Sequence, residues 1–140
     1  MERQILGYYS HNVKIHKTER EQRELRFIEQ RFKGLIVNPY SDLKGMNPYE
    51  MNLNFRAIET MDYLVVSNHN GTISRSSFFE VKQALEMRIP VFEIQPVANT
   101  FRIRKVNRVT PVSERNLSAY AKLESLPFIN NQIKNNKYFK

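Results

Sequence analysis

The segment DYLVVS, residues 62–67, constrains the fold most strongly, because its apolar residues follow one another instead of alternating with polar ones. A strand with this pattern is buried on both faces, which is typical of parallel sheets that are covered by helices. Three further short apolar segments are predicted to be strands: QILGYY (4–9), LIVNP (35–39) and IPVFEI (89–94). The chain is therefore predicted to contain four neighbouring strands of one sheet.

Helical patterns lie between these strands. Leu25, Ile28 and Phe32 recur at spacings of three and four, and Thr18 with Glu21 forms a capping box ahead of them. The next helix is predicted to begin at Asn47-Pro48, and its inward face is Met51, Phe55 and Ile58. The inward face of the helix after it is predicted to be Phe78, Val81, Ala84 and Leu85. The β-α-β-α-β-α-β order predicts an α/β fold with an open, mostly parallel sheet, helices on both faces and right-handed crossovers.

The pattern is weaker after Gln95. FRIRKVNRV (101–109) alternates apolar and basic residues, which predicts a fifth strand or an edge hairpin. SERNLSAYAKLESL (113–126) is predicted to be a helix capped by Ser113. We therefore expect one α/β domain with a five-stranded sheet over residues 1–126, and a flexible or partner-contacting basic tail over residues 127–140.

Composition excludes several kinds of site. The 140 residues include no cysteine, so disulfides, thiolate zinc sites and cysteine nucleophiles are excluded, and a reducing compartment is favoured. No apolar run approaches the length of a membrane span, and MERQILGYYS lacks the long apolar segment of a signal peptide. We expect a cytoplasmic protein without a membrane partner.

The formal charge of +8 favours an anionic partner. A nucleic acid is the less favoured partner, since Phe101 is the sole aromatic within the basic segment FRIRKVNR and a charged edge strand explains the same pattern. His11, His16 and His69 lack a spacing that places two of them on one helical face, and no carboxylate joins them in a recognisable motif, so no metal site is predicted.

Candidate site residues are expected at the carboxyl ends of the strands, because ligands of open α/β sheets bind at that edge. Tyr8 and Ser10 lie at the end of the first predicted strand, Asn38 lies at the end of the second, and Asn68 follows the third. Glu80 stands behind two phenylalanines at the start of the helical segment SRSSFFEVKQALEMR.

Two roles are open for Glu80. In one, Ser77 and Glu80 form a capping box, and the carboxylate favours the positive end of the helix dipole. In the other, the carboxylate attacks or stabilises the electrophilic sugar carbon as an N-glycosidic bond breaks. The local spacing alone does not decide between a structural and a catalytic Glu80.

Residues 61–94, MDYLVVSNHNGTISRSSFFEVKQALEMRIPVFEI, resemble the core of the nucleoside 2-deoxyribosyltransferase-like superfamily. Its members carry an aromatic residue and a nucleophilic Glu after the third strand, then a helix with a buried alanine and a strand that opens with Pro-Val. The matching positions are Phe79, Glu80, Ala84, Pro90 and Val91. With LGYYS and GLIVNP, the resemblance covers about residues 4–95. It implies a Rossmann- or flavodoxin-like fold and a catalytic Glu80.

Ser74 bears on the substrate. Deoxyribosyltransferases that act on nucleosides typically carry Asp six residues before the nucleophile. The related 2′-deoxynucleoside 5′-monophosphate N-glycosidases carry a Ser at that position, which helps to hold the phosphate. This chain has Ser74 there. The resemblance therefore implies cleavage or transfer at the N-glycosidic bond of a nucleoside 5′-monophosphate, without metal or organic cofactor. Enzymes of this group work as dimers or larger assemblies, so a homo-oligomer is expected.

The expected substrate-binding residues fall into two groups. The hydroxyls of Ser74, Ser76 and Ser77, with Arg75 and the amides at the helix start, suit the phosphate or the sugar hydroxyls. Tyr8, Ser10 and Asn38 are expected to line the base end, and Asn68 lies near them after the third strand.

Departures from the family pattern leave alternatives open. Phe78 and Ser76 stand where the family has small residues, and neutral Ser67 and Asn68 replace an acidic residue near the end of the third strand. These departures favour a non-catalytic nucleotide- or nucleic-acid-binding module on the same fold. The same segment is also similar to the serine-rich loop and Glu-bearing helix of Toll/interleukin-1 receptor domains, some of which cleave NAD. That similarity implies an NAD glycohydrolase as a further alternative.

Overall fold

The computed structural model describes residues 3–42, 51–68, 70–112, 119–126 and 136–140. The strands are β1 (Leu6–Ser10), β2 (Leu35–Val37), β3 (Tyr63–Ser67), β4 (Thr72–Ile73), β5 (Val91–Val97), β6 (Thr100–Pro111) and β7 (Ala121–Ser125). The helices are a 3-10 turn (Val13–Ile15), α1 (Glu19–Arg31), α2 (Pro39–Asp42), α3 (Met51–Glu59) and α4 (Arg75–Glu86). The predicted helix start at Asn47-Pro48 lies outside the described residues.

The α/β class and the open sheet are confirmed, but the prediction of five mostly parallel strands is wrong. The sheet has seven strands in the order β2-β1-β3-β5-β6-β7-β4. The first four are parallel neighbours, with Tyr8 beside Val37 and Leu64, and Leu64 beside Val91. β6, β7 and β4 add antiparallel pairings. The four strands that were predicted from apolar segments therefore form the parallel half.

The remaining corrections concern the segment after Gln95. FRIRKVNRV was predicted as a strand or a hairpin, and it is part of the long strand β6, whose residues 100–105 form a hairpin with β5 and whose residues 106–111 pair with β7. The predicted helix over 113–126 is wrong where the structure describes it, since Ala121–Ser125 form strand β7. Ala121 and Leu123 alternate with polar residues along β7 and pack on one face of the sheet, and alternation is the pattern of a half-buried strand.

Two apolar cores cover the two faces of the sheet. On one face, Phe27 and Ile28 of α1 and its C-cap residue Phe32 pack against side chains of β1, β3 and β5. On the other, α3 and α4 contribute Ile58, Phe78, Val81 and Ala84 to a cluster that includes Tyr8 and Leu64. Because successive side chains of a strand point to opposite faces, Tyr8 and Tyr9 enter different cores.

Of the predicted basic tail over 127–140, the structure describes residues 136–140, which pack on the domain. Phe139 is buried against Phe32 and Phe92. Lys33 N donates to Tyr138 O, and Lys140 N donates to Arg31 O. These last five residues therefore cover the end of α1. Among the described residues, no helix has the length and apolar character needed to cross a membrane.

Gly34, which joins α1 to β2, occupies a position that does not accommodate a side chain. Its φ is +91°, and a Cβ built there would lie 2.1 Å from Ile5 O. We expect Gly34→Ala to cost at least about 2 kcal/mol in the free energy of unfolding, because the left-handed φ and the backbone clash add. Urea denaturation measures this cost.

Gly71→Ala is the matched control for that measurement. Gly71 has a similar φ of +84° but open space around its Cβ direction, so the substitution should cost only the backbone strain of about 1 kcal/mol. Equal losses in the two variants would show that the contact with Ile5 does not constrain the chain.

Candidate active site

Polar side chains converge where β1 and β3 end at the carboxyl edge of the parallel half of the sheet. β1 supplies Tyr8 and Ser10, β3 ends with Ser67, and α4 begins at the same edge after β4. Ser10 and Val66 are register partners, which brings the two strand ends side by side. The rule that placed ligand sites at this edge therefore selected side chains that are close in space.

Glu80 is the central group of this edge. Its carboxylate is 3% exposed and accepts two hydroxyl hydrogen bonds from β1. The Tyr8 hydroxyl donates to Oε2, and Ser10 Oγ donates to Oε1 at 2.9 Å. Both carboxylate oxygens are thus oriented by a neighbouring strand.

The capping role of Glu80 is not observed. α4 begins one turn earlier than the capping-box pattern indicates, with Ser74 as its N-cap accepting from Ser77 N. Glu80 therefore lies in the second turn of the helix, and its carboxylate bonds to hydroxyls of β1 instead of to amides of its own helix.

Burial controls the charge state of Glu80. Desolvation raises the pKa of Glu80 to about 7, although the hydrogen bonds from Tyr8 and Ser10 act in the opposite direction. In the part of the chain that the structure describes, no lysine or arginine forms a salt bridge with it. Burial, followed by the charge of Glu80, raises the pKa of the Tyr8 hydroxyl. Tyr8 therefore stays protonated and acts as a hydrogen-bond donor.

The opposite face of the sheet holds a second tyrosine–carboxylate pair with a different charge balance. Tyr9 donates to Glu24 Oε1, and Ser67 Oγ donates to Glu24 Oε2 at 2.8 Å. Unlike Glu80, the fully buried Glu24 also pairs with a cation, Arg20 Nε, at 2.9 Å. Glu24 is thus paired with a cation, whereas no cation among the described residues pairs with Glu80.

A cavity of about 270 Å³ opens at the same edge. It is lined by Asn12, Lys14, Ile15, Arg20, Ser67, Thr72, Ile73 and Ser74. Glu80 is not among these lining residues. Ser74 connects the two features, because its hydroxyl lies 3.3 Å from that of Ser76. Ser76 in turn hydrogen-bonds with Tyr40, whose pKa is raised by burial and by the nearby charge of Glu80.

The structure therefore brings together only some of the predicted site residues. Tyr8, Ser10 and Glu80 form one hydrogen-bonded group, and the hydroxyls of Ser74 and Ser76 form a second pair. Ser77 is buried on α4, and its hydroxyl has no partner among the described residues.

Three other predicted site residues are engaged elsewhere. Arg75 is exposed and lies over the rings of Phe79 and Tyr120. The Asn68 amide donates to Glu93, and the Asn38 side chain accepts from Tyr40 N and hydrogen-bonds with Glu21. These residues do not reach Glu80 in this arrangement.

Sequence reasoning missed a group formed by His11, His16 and Glu21. Both histidines lie 2.8 Å from Glu21 Oε2, His11 through Nε2 and His16 through Nδ1. The sequence argument looked for a carboxylate in a recognisable motif along the chain, so it did not identify Glu21, which joins two of the histidines in space. Glu21 stands four residues before Leu25, and Glu24 stands four residues before Ile28, which was the available sign that both face inward.

Comparisons of the chain with protein-family models, with curated proteins and with solved structures returned no match.

Proposed function

We propose that the protein cleaves or transfers the N-glycosidic bond of a nucleoside 5′-monophosphate, with Glu80 as the nucleophile. The observation that carries the proposal is the state of Glu80: a buried carboxyl that pairs with no cation in the described part of the chain and is held through both oxygens by Tyr8 and Ser10. A carboxylate that is oriented and weakly solvated is suited to attack a sugar carbon that develops oxocarbenium character.

The position of the group supports the same proposal. The parallel strands follow the order β2-β1-β3-β5, which is the order of flavodoxin-like sheets, whose ligands bind where the order reverses between the first and third strands. Tyr8 and Ser10 come from β1, and Ser67 on the cavity wall comes from β3. The proposed site thus lies at the expected switch point.

The cavity supports a phosphorylated substrate. Lys14 contributes positive charge to its wall beside Arg20, which is paired with Glu24, and Ser74 brings the N-terminus of α4 to it. Cations, hydroxyls and helix-start amides are the groups that bind phosphate. At about 270 Å³ the cavity suits part of a nucleotide. In this proposal the phosphate occupies the cavity, and the sugar reaches Glu80 past Tyr40, a partly exposed neighbour.

The proposed chemistry uses this chain's own side chains. Ionised Glu80 attacks C1′, the bond from C1′ to the base nitrogen breaks, and the base leaves with the electron pair and takes a proton from solvent. Water or a second base then attacks C1′ and releases Glu80, which gives hydrolysis or transfer. Tyr8 keeps its proton throughout and orients one carboxylate oxygen. We expect the active form to be a homo-oligomer.

The test is base release from a panel of ribo- and deoxyribonucleoside 5′-monophosphates, with the free nucleosides and NAD beside them. Chromatography of the free base measures turnover. The expected result is release from monophosphates in preference to nucleosides. Release from NAD alone would favour the glycohydrolase alternative, and a lack of release from every compound would contradict an enzymatic role.

Tyr8→Phe should move the pH dependence of base release. Glu80 must be ionised to attack, so the rate should rise with pH through about 7, the pKa of Glu80. Since the Tyr8 hydrogen bond lowers that pKa, its removal should shift the rising limb upward by about one pH unit. Initial rates from pH 5 to 9 measure the shift.

Tyr9→Phe is the control for this profile, because Tyr9 bonds to Glu24 on the other face of the sheet. The pH limb should stay in place in this variant even if its stability falls. A Tyr8→Phe limb that is unmoved or shifted to lower pH would argue against Glu80 as the titrating group.

A non-catalytic nucleotide-binding module is the second candidate function. It is favoured by one observation: Glu80 is 3% exposed and does not line the cavity. In that case the monophosphates should bind, as measured by calorimetry, without release of base. Salt-sensitive retention of DNA or RNA would extend the binding function to nucleic acid.

A further inference from the structure

His11, His16 and Glu21 form a compact group of three metal-ligating side chains. His11 follows β1, His16 follows the 3-10 turn, and Glu21 lies in the first turn of α1. One ligand atom from each lies within 4.8 Å of the other two. His11 and Glu21 are buried, and the His16 side chain is 20% exposed. The group is therefore preassembled, and His16 gives it access to solvent.

The hydrogen bonds of His11 leave a mismatch that a cation resolves. Its Nδ1 lies 3.1 Å from Tyr9 O, which only accepts, so Nδ1 carries the proton. In the neutral ring, Nε2 then points a lone pair at Glu21 Oε2 from 2.8 Å. Two acceptors face each other at this distance only if a proton or a metal ion lies between them.

The two kinds of side chain in the group, imidazole and carboxylate, are both metal ligands, and His16 Nδ1 and His11 Nε2 approach the same oxygen of Glu21. A neutral imidazole and an ionised carboxylate are the forms that bind a divalent ion.

We infer that His11 Nε2, His16 Nδ1 and a Glu21 carboxylate oxygen bind one divalent transition-metal ion of the zinc type. Two imidazoles and one carboxylate are an established ligand set for Zn²⁺, with ligand atoms about 2.0–2.2 Å from the metal. Ligand atoms of a tetrahedral site then lie about 3.3 Å apart, so the observed 2.8 Å contacts must open slightly. The inference is independent of the proposed function.

Outer contacts already orient the ligands, as they do in metal sites. The His11 ring donates to Tyr9 O and stacks on the Tyr9 ring, with centroids 3.8 Å apart. The second oxygen of Glu21, Oε1, accepts from Lys17 N at 3.1 Å. The rings of His11 and His16 both pack against Tyr40. Two of the three ligands therefore have hydrogen-bonded outer partners, and both histidine rings are packed in place.

A metal at this position would fix one wall of the cavity. Both histidines flank the loop that contains Asn12, Lys14 and Ile15, and these three residues line the cavity. Glu21 anchors that loop to α1. Metal binding would therefore hold the loop in the arrangement that shapes the cavity.

The test is Zn²⁺ binding by the full chain after dialysis against a chelator. Competition with a chromophoric chelator gives the affinity and the stoichiometry, and we expect one ion per chain. Co²⁺ in place of Zn²⁺ should give the visible absorption of a four-coordinate site. X-ray absorption of the zinc-loaded wild-type protein should show two imidazoles among nitrogen and oxygen ligands.

Two variants locate the site, and a third serves as the control. His16→Ala and Glu21→Gln should each weaken Zn²⁺ binding by at least about 100-fold, because each removes a direct ligand. Glu19→Gln carries the same chemical change on the exposed face of the same helix turn and should bind as the wild type does. Circular dichroism without metal checks that each variant is folded.

Three outcomes would overturn the inference. They are the absence of stoichiometric binding by the wild type, affinity that His16→Ala leaves unchanged, and X-ray absorption without imidazole ligands. The last measurement needs no variant, so it decides even if Glu21→Gln does not fold. If the wild-type chain bound no metal and nitrogen-15 NMR showed an imidazolium at His11, a proton and not a metal ion would lie between His11 and Glu21.

Discussion

Base release from a nucleoside 5′-monophosphate should fall by about 1,000-fold or more in Glu80→Gln, because an amide neither attacks C1′ nor stabilises positive charge there. Gln keeps the side-chain length and one oxygen that accepts from Tyr8 or Ser10, so the local packing should persist. The measurement is the initial rate of free-base formation at pH 8, where wild-type Glu80, with a pKa of about 7, is mostly ionised.

Glu86→Gln is the matched control for the Glu80 substitution. Glu86 is an exposed carboxylate on the same helix, so the same chemical change should leave the rate near that of the wild type. Release that persists in Glu80→Gln would remove Glu80 from the mechanism and turn attention to Glu24, the other carboxylate at this edge that bonds to a tyrosine of β1.

Glu24→Ala should lower the free energy of unfolding by about 3–5 kcal/mol, which is the range for breaking a buried ion pair by removing one partner. The substitution leaves Arg20, the Tyr9 hydroxyl and Ser67 Oγ without the acceptor they share. Chemical denaturation followed by circular dichroism measures the loss.

Glu29→Ala supplies the comparison within α1, since the Glu29 side chain is exposed and the change should stay within about 0.5 kcal/mol. If Glu24→Ala cost no more than Glu29→Ala, the network that joins α1 to β1 and β3 would not contribute to stability. A double variant that also replaces Arg20 by Met should recover part of the loss, because no buried charge then remains unpaired.

The sequence predicted the parallel half of the sheet because its strands are short apolar segments bounded by turn residues. The same reasoning placed Tyr8, Ser10 and Glu80 at one edge, and the structure joins them by hydrogen bonds. This success depends on topology: strand ends that are distant along the chain meet at the carboxyl edge of a parallel sheet.

Strand β7 of the antiparallel half was mispredicted as a helix because its pairing is non-local. Ser, Glu, Leu and Ala around residues 113–126 have moderate or good helix propensity, yet Ala121–Ser125 lie between β6 and β4. Propensity in strands depends on neighbours that a local pattern does not show. The inward carboxylates Glu21 and Glu24 were missed for a related reason, since their partners come from the β1 end, the following loop and Ser67.

Gly7 fixes the register of β1 and so determines which of its two tyrosines bonds to which glutamate. Two consecutive tyrosines, each facing a glutamate on its own side, form a nearly repetitive pattern, and a slip of the strand by one position would exchange their surroundings. Gly7 pairs with Tyr63, whose ring lies so close that a Cβ at Gly7 would fall 2.3 Å from it. A slip would place Leu6 or Tyr8 under that ring. Because Gly7 has no side chain, the observed register of β1 is the one that fits beneath the Tyr63 ring. That register gives each glutamate one tyrosine.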